Sequence, residues 1–257
     1  IYLARFNRSV LVLDHGSGRS TTHEVNENYL GFPKGIAARR LRKLGREQAE
    51  RFGAEFLDCR VEEAARSRAG YRVTAEDGRE YAGRTLILAT GVTDKLPEFE
   101  NKDVNQYFGR SLFWCITCDG HKARDARVAV VGADDQCATT ALQFLNFTKH
   151  VVVITNRPPG ESELSRRKRG HLKAANIRLY ESRIGPIRGE DGFMRAVVLP
   201  DGRRLKVDYM FNQQGARPNS LLARRLGVKL DADGYIKVDN EQRTNVGKLY
   251  AAGDVTK

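Results

Sequence analysis

The stretch RVAVVGADDQCATTALQFLNFTKHVVVIT, residues 127–155, decides the fold class. Its order predicts a strand over Arg127–Val131, a turn that begins at Gly132, a helix over Asp135–Lys149 and a strand over Val151–Thr155. This is the βαβ unit of the Rossmann type, in which a helix joins two parallel strands. We therefore predict an α/β protein whose ligands bind at the carboxyl ends of parallel strands.

A weak internal repeat extends this unit into two similar halves. The stretch YRVTAEDGREYAGRTLILATG (71–91) predicts a strand, an Asp-Gly turn, a strand and an apolar strand that ends in Gly91. The stretch MRAVVLPDGRRLKVDYMFNQQG (194–215) has the same order and ends in Gly215. The repeat predicts two Rossmann-like, three-layer ββα nucleotide-binding domains in tandem. Further strands are predicted over Ser9–Asp14, Tyr71–Ala75, Thr85–Leu88, Arg195–Leu199, Val207–Phe211 and Tyr235–Val238, and further helices over Ile36–Phe52 and Glu163–Ala175.

Composition and charge exclude several classes of protein. The 257 residues are 40% hydrophobic, enough for an ordinary core, and the length favours two domains over one. No apolar run approaches the ~20 residues that cross a bilayer, and no basic-then-apolar leader is visible, so we predict a soluble, cytoplasmic protein without a membrane partner. The formal charge of +12 is densest over residues 165–173, where no aromatic-basic motif accompanies it. We therefore favour a solvated helix face over a nucleic-acid site, and an acidic protein partner stays open.

The two ends of the chain carry parts of a dinucleotide site. The stretch RSVLVLD ends in Asp14, and an acid at the end of the second Rossmann strand binds the ribose hydroxyls of a dinucleotide. The Gly-rich turn that should come before this strand is not in the sequence. The last stretch, LYAAGDVTK, stops where a closing helix is expected. We interpret the sequence as a truncated or incompletely represented chain.

The turn that follows the strand at 127–131 departs from the Rossmann fingerprint. That fingerprint needs glycine where the turn is tight, where backbone meets the pyrophosphate and where helix meets strand. Gly132 fills the first position, whereas Asp134 brings a negative charge to the second and Cys137 occupies the third. At the end of the next strand, Asn156-Arg157 offers one cation for a 2′-phosphate. We favour a half that kept its fold and lost its nucleotide, with retained binding as the alternative.

The stretch FWCITCDGH, residues 113–121, contains the pair Cys115 and Cys118. A zinc site would need two further ligands, and neither the other cysteines nor the nearby histidine supply them at a sensible spacing, so we predict no metal site. A permanent structural disulfide does not suit a reducing compartment. A redox dithiol fits better, because C-x-x-C brings both sulfurs within bonding reach. Asp119 follows at once and is placed to shuttle the proton that thiol–disulfide exchange requires.

Together these stretches resemble the low-molecular-weight thioredoxin reductases. The matching pieces cover essentially the whole chain and are TTH (21–23), NYLGFP (28–33), REQAERFGA (46–54), ATG (89–91), CITCDG (115–120), GARPN (215–219) and AAGDV (251–255). The resemblance implies a homodimeric FAD enzyme with a redox-active disulfide and a discontinuous FAD domain. It implies that residues 1–109 and 239–257 bind FAD and that residues 110–238 form a central, NADPH-like domain that carries the cysteine pair. Because the first Gly-rich turn binds the FAD pyrophosphate in this family, a truncated chain is expected to hold FAD weakly or not at all.

The resemblance also implies roles for individual residues. Cys118 would face the isoalloxazine ring, Cys115 would attack the disulfide of a partner such as thioredoxin, and Asp119 would act as acid and base. Asp14 would hold the adenosine ribose, and Asn28 would lie near the isoalloxazine. The remaining FAD-binding positions are Gly18, Arg19, Ala89, Thr90, Gly91, Gly253, Asp254 and Val255.

Two departures from the family's pattern both fall on the NADPH site. The family's Gly-x-Gly-x-x-Ala is GADDQC at 132–137, and its His-Arg-Arg is TNR at 155–157. This pattern resembles the NADPH-independent, thioredoxin-reductase-like flavoproteins, which include ferredoxin-linked and deeply branching cyanobacterial forms. The leading hypothesis is an FAD-dependent disulfide oxidoreductase with an acidic ferredoxin or flavodoxin as donor. The alternatives are an orthodox NADPH-dependent thioredoxin reductase, a dithiol oxidase that uses oxygen and a non-catalytic, flavin-binding redox sensor.

Overall fold

The computed structural model describes residues 1–21, 24–97, 99 and 104–256. Within the stretches that carry the resemblance, Thr22 and His23 lie outside the described residues. The chain divides into two compact units. The first unit consists of Ile1–Thr22, Ile36–Asp94 and Ala216–Lys257, and the second of His23–Gly35 and Lys95–Gly215.

Short strands and a smaller set of helices alternate along the chain. The strands are β1 (Val10–Leu13), β2 (Val25–Asn26), β3 (Ile36–Ala37), β4 (Ala54–Leu57), β5 (Val61–Ser67), β6 (Gly70–Ala75), β7 (Glu80–Gly83), β8 (Leu86–Leu88), β9 (Val92–Asp94), β10 (Leu112–Phe113), β11 (Val128–Val131), β12 (Val151–Ile154), β13 (Arg178–Tyr180), β14 (Ile187–Glu190), β15 (Phe193–Val198), β16 (Arg204–Lys206), β17 (Tyr209–Asn212), β18 (Ala216–Pro218) and β19 (Leu249–Ala251). The α-helices are α1 (Tyr2–Arg5), α2 (Ala38–Glu50), α3 (Ile116–Asp119), α4 (Asp135–Gln143), α5 (Arg166–Ala174) and α6 (Leu221–Arg225).

The first unit combines parallel strand pairs with an antiparallel sheet. β1 pairs parallel with β4, β8 pairs parallel with β19, and β5, β6 and β7 form an antiparallel three-stranded sheet. Gly78 adopts a φ of +81° in the predicted Asp-Gly turn between β6 and β7, a conformation that glycine reaches without steric cost. The core side chains come from this sheet, from the parallel pair and from the segment after α6, and they include Tyr71, Leu88, Ile236, Leu249, Ala251 and Val255.

The second unit is built on a five-stranded sheet in the order β10-β17-β11-β12-β13, with every pair parallel. All four residues of β11 are buried, because both faces of the sheet are covered. Val128 and Val130 pack in one cluster with residues of α4, whereas Ala129 and Val131 pack in another with residues of β15. The antiparallel sheet of β14, β15 and β16 therefore covers the face opposite α4. This is the predicted three-layer ββα arrangement, and the predicted α/β fold is confirmed.

Some element bounds differ from the prediction for local reasons. The segment predicted as one helix over residues 36–52 begins with β3, and α2 then ends at Glu50, shortly before Gly53 turns left-handed with a φ of +88°. The helix predicted over residues 135–149 ends at Gln143, because the fully buried Phe144 begins a 3₁₀ turn. The strand predicted over residues 235–238 is wrong: Ile236 makes only isolated bridges, to Leu230 and Thr256.

The boundaries of the two units also differ from the predicted boundaries at 109/110 and 238/239. The chain changes unit at 94/95 and at 215/216, and residues 23–35 join the second unit. The first change is explained by β9, which pairs antiparallel with β18 inside the first unit. The second is explained by Ala223 and Leu226, which are buried in the same cluster as Tyr71. Among the described residues, no helix has the length and apolarity to cross a membrane.

Candidate active site

Buried strand residues fix the position of the cysteine pair. Leu112 and Phe113 form β10 at the edge of the five-stranded sheet and are fully buried. Two residues later the short helix α3 begins, with Cys115 as its N-cap. A disulfide joins Cys115 to Cys118, whose Cα atoms lie 5.3 Å apart. The predicted redox pair is therefore brought together and oxidised in this structure.

The first turn of α3 surrounds the Cys115 sulfur with hydrogen-bond donors. The backbone N–H of Cys118 donates to Sγ of Cys115 at an N···S distance of 3.2 Å, and Oγ1 of Thr117 lies 3.2 Å from the same sulfur. Both cysteines are half-buried. Backbone N–H groups at a helix start stabilise negative charge, so this turn favours a thiolate on Cys115 after the disulfide is reduced.

Asp119, the predicted acid/base, is the last residue of α3 and is only 3% exposed. Its Oδ1 accepts a hydrogen bond from Nζ of Lys122 at 3.0 Å. The ammonium of Lys122 also lies 5.1 Å from the centre of the Phe113 ring. The carboxyl group is thus one residue from Cys118 and is held by a cation.

Gly120 is required by close packing next to the cysteine pair. A Cβ at this position would lie 2.9 Å from Cγ1 of Ile116 and 3.2 Å from Cε2 of Phe147. Real Cβ atoms essentially never come within 3.0 Å of another atom, so alanine at this position would force Ile116 or Phe147 to shift. The glycine of the C-x-x-C-D-G stretch therefore keeps α3 in contact with the residues that follow α4.

Asp14 follows β1, at the carboxyl end of a parallel strand, as predicted for a residue that holds a ribose. Its Oδ1 accepts the N–H of Gly16 at 3.0 Å, and its Oδ2 accepts a hydrogen bond from Arg42 at 2.7 Å. Partial burial raises the pKa of Asp14, but the Gly16 hydrogen bond and the Arg42 charge together bring it below its usual value. The carboxylate is therefore ionised and fixed in orientation.

Two predicted cofactor segments lie at the carboxyl ends of neighbouring strands. Residues 89–91 follow β8 and residues 253–255 come shortly after β19, and these two strands are paired in parallel. Gly91 has a φ of +63° and Gly253 a φ of +79°, and among the described residues no atom beyond the chain neighbours lies within 4 Å of the Cβ position of either. Asn219 fixes the first segment, since its Nδ2 donates to the carbonyl of Thr90 at 2.9 Å and its own carbonyl accepts from Oγ1 of Thr90 at 2.7 Å. A ligand would therefore meet open backbone at the carboxyl ends of parallel strands, where ligands bind in open α/β sheets.

The other predicted cofactor residues are placed less uniformly. Arg19 contacts Asp254 at 3.4 Å and Asp94 at 3.0 Å, so it joins three segments of the first unit. Gly18 accepts a hydrogen bond from Oγ1 of Thr21 at 2.7 Å. Val255 is fully buried and belongs to the core of that unit, as a support for the turn before it. Asn28 is exposed and lies in the second unit, so the two units divide the predicted FAD-binding residues between them.

The turn after β11 is held by its own side chains. A Cβ at Gly132 would lie 2.7 Å from the carbonyl oxygen of Gln213, so this glycine is needed for the close approach of two strand ends. Asp134 is the N-cap of α4, and its Oδ1 accepts the N–H of Cys137 at 2.9 Å. Cys137 is fully buried. Burial, together with the negative charge of Asp134, raises the pKa of its thiol. Among the described residues, no group of three or more His, Cys, Asp and Glu side chains could hold a metal ion.

Comparisons with known proteins agree with this arrangement. A family model described as pyridine nucleotide-disulphide oxidoreductase matches residues 1–257. The chain belongs to this family.

Relatives within the family are thioredoxin reductases. The chain is 30% identical over 264 residues to the thioredoxin reductase of Streptomyces coelicolor, covering 99% of this chain and 81% of that protein. It is 31% identical over 272 residues to the thioredoxin reductase of Vibrio cholerae, covering 99% of this chain and 83% of that protein. The solved thioredoxin reductase of Streptococcus pyogenes superposes with a TM-score of 0.89 at 25% identity, covering 100% of this chain and 84% of that one.

Family membership confirms the predicted enzyme class, a thioredoxin-reductase-like pyridine nucleotide-disulfide oxidoreductase with a Rossmann-type fold. It also implies a flavin and a pyridine nucleotide as cofactors. The first unit fits a flavin dinucleotide, because Asp14 presents an oriented carboxylate and the backbones at Gly91 and Gly253 are open to a ligand.

Sequence reasoning missed two features of the site. The first is Lys122, which lies three residues after Asp119 in a 3₁₀ turn, where side chains at i and i+3 align. The charge spacing alone could have indicated this pair. The second is Gln214, whose Oε1 accepts a hydrogen bond from Nδ2 of Asn156 at 3.1 Å. A sequence separation of 58 residues gives no local sign of such a contact.

Proposed function

We propose that the chain is an FAD-dependent disulfide oxidoreductase of the thioredoxin-reductase type that works without NADPH. Electrons would pass between the flavin, the Cys115–Cys118 disulfide and a dithiol protein such as thioredoxin. The observation that carries the proposal is the disulfide at the start of α3, with the buried carboxyl of Asp119 beside it.

The chemistry follows from how the cysteine segment is held. When bound, the flavin supplies the electron pair that breaks the S–S bond. Cys115 is the attacking thiol, since its sulfur receives the hydrogen bond from Cys118 N–H that stabilises a thiolate. Cys118 then resolves the mixed disulfide with the partner and releases the partner's second thiol. Asp119 moves the protons that the two thiols exchange during these steps.

The first unit supports the flavin assignment. Asp14 would bind the adenosine ribose, and the open backbone at Gly91 and Gly253 would receive the ribityl-phosphate chain. Arg19, which contacts Asp254, would fix the second of these segments. Asn28 would lie near the isoalloxazine once the cofactor is bound.

The turn after β11 argues against a nucleotide in the second unit. A dinucleotide pyrophosphate needs the free N–H groups of a helix start and a neutral approach to them. Asp134 already occupies the N–H of Cys137 and adds a negative charge. Asp135 is also engaged, because its Oδ1 accepts the N–H of Ser165 at 2.8 Å.

The end of β12 argues in the same direction. Asn156 takes a left-handed φ of +53°, and its side chain bridges Oε1 of Gln214 at 3.1 Å and the N–H of Ile184 at 3.0 Å. It is therefore committed within the chain and carries no charge for a 2′-phosphate. Arg157 is exposed, and within the described part of the chain its guanidinium makes no hydrogen bond or ion pair. One exposed cation is a poor substitute for a 2′-phosphate site.

The partners follow from the chemistry and the charge. A formal charge of +12 suits an acidic electron donor such as a ferredoxin or flavodoxin. The assembly is a homodimer and the compartment the cytoplasm under this proposal. An orthodox NADPH-linked reductase, a dithiol oxidase and a flavin-binding sensor are distinguished from it by the experiment that follows.

The test is an anaerobic reduction of the purified, full-length flavoprotein. The flavin absorbance is followed after addition of excess NADPH, then after dithionite, and thiol formation on oxidised thioredoxin is measured last. We expect no bleaching by NADPH, bleaching by dithionite and transfer of electrons to thioredoxin. Rapid bleaching by NADPH would establish the orthodox reductase instead. Peroxide formation from a reduced dithiol and oxygen would indicate the oxidase, and an unchanged cellular role of Cys118→Ser would indicate the sensor.

A further inference from the structure

Lys122 lies at the centre of a charged network next to the cysteine pair. Its Nζ is 3.0 Å from Oδ1 of Asp119 and 3.5 Å from Oε2 of Glu27. The same oxygen of Glu27 lies 2.9 Å from Nε2 of His121. These groups come from α3, from the 3₁₀ turn over Gly120–Ala123 and from the 24–35 segment, all within the second unit.

The network runs from the interior to solvent. The Asp119 side chain is 4% exposed and Lys122 is 26% exposed, whereas Glu27 and His121 are 43% and 49% exposed. A carboxylate as buried as Asp119 needs a counter-charge, because low dielectric makes an unpaired charge costly. Lys122 is the cation that the structure places there. It also lies over the Phe113 ring, whose face attracts a cation.

Reduction of the disulfide changes the charge balance at this point. Two electrons from the reduced flavin and one proton convert the S–S bond into one thiol and one thiolate, so a negative charge appears within the short helix that ends in Asp119. Like charges within one helical turn disfavour one another, and a neighbouring cation offsets the repulsion. Without Lys122 this segment would keep the new thiolate and the carboxylates of Asp119 and Glu27 but lose the ammonium that contacts both carboxylates.

We propose that Lys122 is a positioning residue that holds Asp119 and stabilises the thiolate form of the Cys115–Cys118 dithiol against the negative charges of Asp119 and Glu27. The inference rests on the proposed redox role of the pair and deepens it. Lys122, which lies outside the C-x-x-C-D-G stretch, therefore helps to set the redox equilibrium of the dithiol.

The experiment measures the dithiol itself in the full-length protein, without donor or partner. One readout is the pH at which alkylation of the reduced pair by iodoacetamide is half-maximal, and the other is the equilibrium with a glutathione redox buffer. The variants are Lys122→Met, Lys122→Arg and Glu27→Gln. Lys149→Met is the matched control, because Lys149 is an exposed lysine of the same unit next to β12.

Lys122→Met is expected to raise the alkylation midpoint by about one pH unit and to shift the glutathione equilibrium about tenfold toward the disulfide, which corresponds to about 30 mV. Lys122→Arg keeps the charge and is expected to stay within about twofold of wild type. Glu27→Gln removes a negative charge and is expected to shift both readouts the other way, by roughly twofold to threefold.

Three outcomes would overturn the proposal. They are a Lys122→Met equilibrium within twofold of wild type, an equal shift in Lys149→Met, and a Glu27→Gln shift in the same direction as Lys122→Met. If Lys122→Met does not fold, the sign of the Glu27→Gln shift decides. Because neither readout uses thioredoxin or an electron donor, a failure here is distinguishable from a failure of the proposed function.

Discussion

Replacing Asp134 by asparagine separates the two effects of its carboxyl group at the start of α4. The first effect is capping, since Oδ1 accepts the N–H of Cys137 at 2.9 Å. Asparagine caps a helix about as well as aspartate, whereas alanine loses about 1 kcal/mol. We therefore expect Asp134→Asn to unfold at the same urea concentration as wild type and Asp134→Ala to lose about 1 kcal/mol of unfolding free energy.

The second effect is electrostatic. Asp134 is exposed, so the repulsion between its carboxylate and a pyrophosphate is screened by solvent. At roughly 5 Å and an effective dielectric constant of about 60, each unit of phosphate charge costs about 1 kcal/mol, and two units cost about 2 kcal/mol. The repulsion therefore raises the dissociation constant for NADPH roughly 30-fold.

Calorimetric titration with NADPH checks the calculation. We expect Asp134→Asn to bind NADPH roughly 30-fold more tightly than wild type while its stability is unchanged. Asp134→Ala should gain affinity as well but lose stability. The reasoning would be refuted if wild type bound NADPH at micromolar concentration, or if Asp134→Asn gained nothing.

Four further predictions concern the cysteine pair and its support. Cys118→Ser should retain the fold and lower the rate of thioredoxin reduction at least ~10³-fold, because the mixed disulfide has no resolving thiol; a rate within tenfold would contradict the assigned role. Asp119→Asn should lower the same rate about 10²-fold, and a solvent isotope effect that did not change would argue against proton transfer by this group. Gly120→Ala should lower the free energy of unfolding in urea by about 1–3 kcal/mol, with the exposed Gly170→Ala as a control that should not. The pKa of Asp208 is lowered, mainly by the hydrogen bond from Arg127. The ionised carboxylate therefore stabilises the fold above the unfolded pKa of about 3.9, and this stabilisation is lost as the pH falls through the lower native pKa. Asp208→Asn should thus be less stable than wild type at pH 7 and converge with it near pH 2, and parallel urea curves at both pH values would contradict this.

The strands of the second unit could be predicted because their burial is written into the local sequence. VAVV and VVVI are apolar at every position, which is typical of a parallel strand covered on both faces, and the structure buries all four residues of β11. The unit boundaries could not be predicted in this way. They depend on Ala223 and Leu226 packing in one cluster with Tyr71, and a contact across about 150 residues leaves no periodic sign in either segment.

The same distinction between local and tertiary features applies to the candidate site. Local spacing brings the two cysteines within bonding reach and places Asp14 and the glycines at strand ends, and the structure has the disulfide and these positive-φ glycines there. The contacts of Asn156 could not, because they join the end of β12 to the end of β17 and to Ile184. Which amide a side chain selects is a tertiary result, set by how two strands register in the sheet.

The carboxyl ends of parallel strands differ between the two units, and this difference bears on which kind of electron donor would suit the protein. In the first unit the backbone at Gly91 and Gly253 is open, and the carboxylate of Asp14 is fixed at the end of β1, where a ribose would need it. In the second unit the carboxylate of Asp134 occupies the helix start, and Asn156 closes the neighbouring strand end. A hydride donor would have brought a proton together with its electron pair. Under the proposed function the donor supplies single electrons and no proton, so the dithiol takes its protons from water, from the partner or from groups of the chain. The buried Asp119, held by a lysine that is itself tied to exposed residues, is placed for that task. Under the proposed function, the carboxylate at the start of α4 and the charged network at the cysteines both fit a donor of single electrons rather than a donor of hydride.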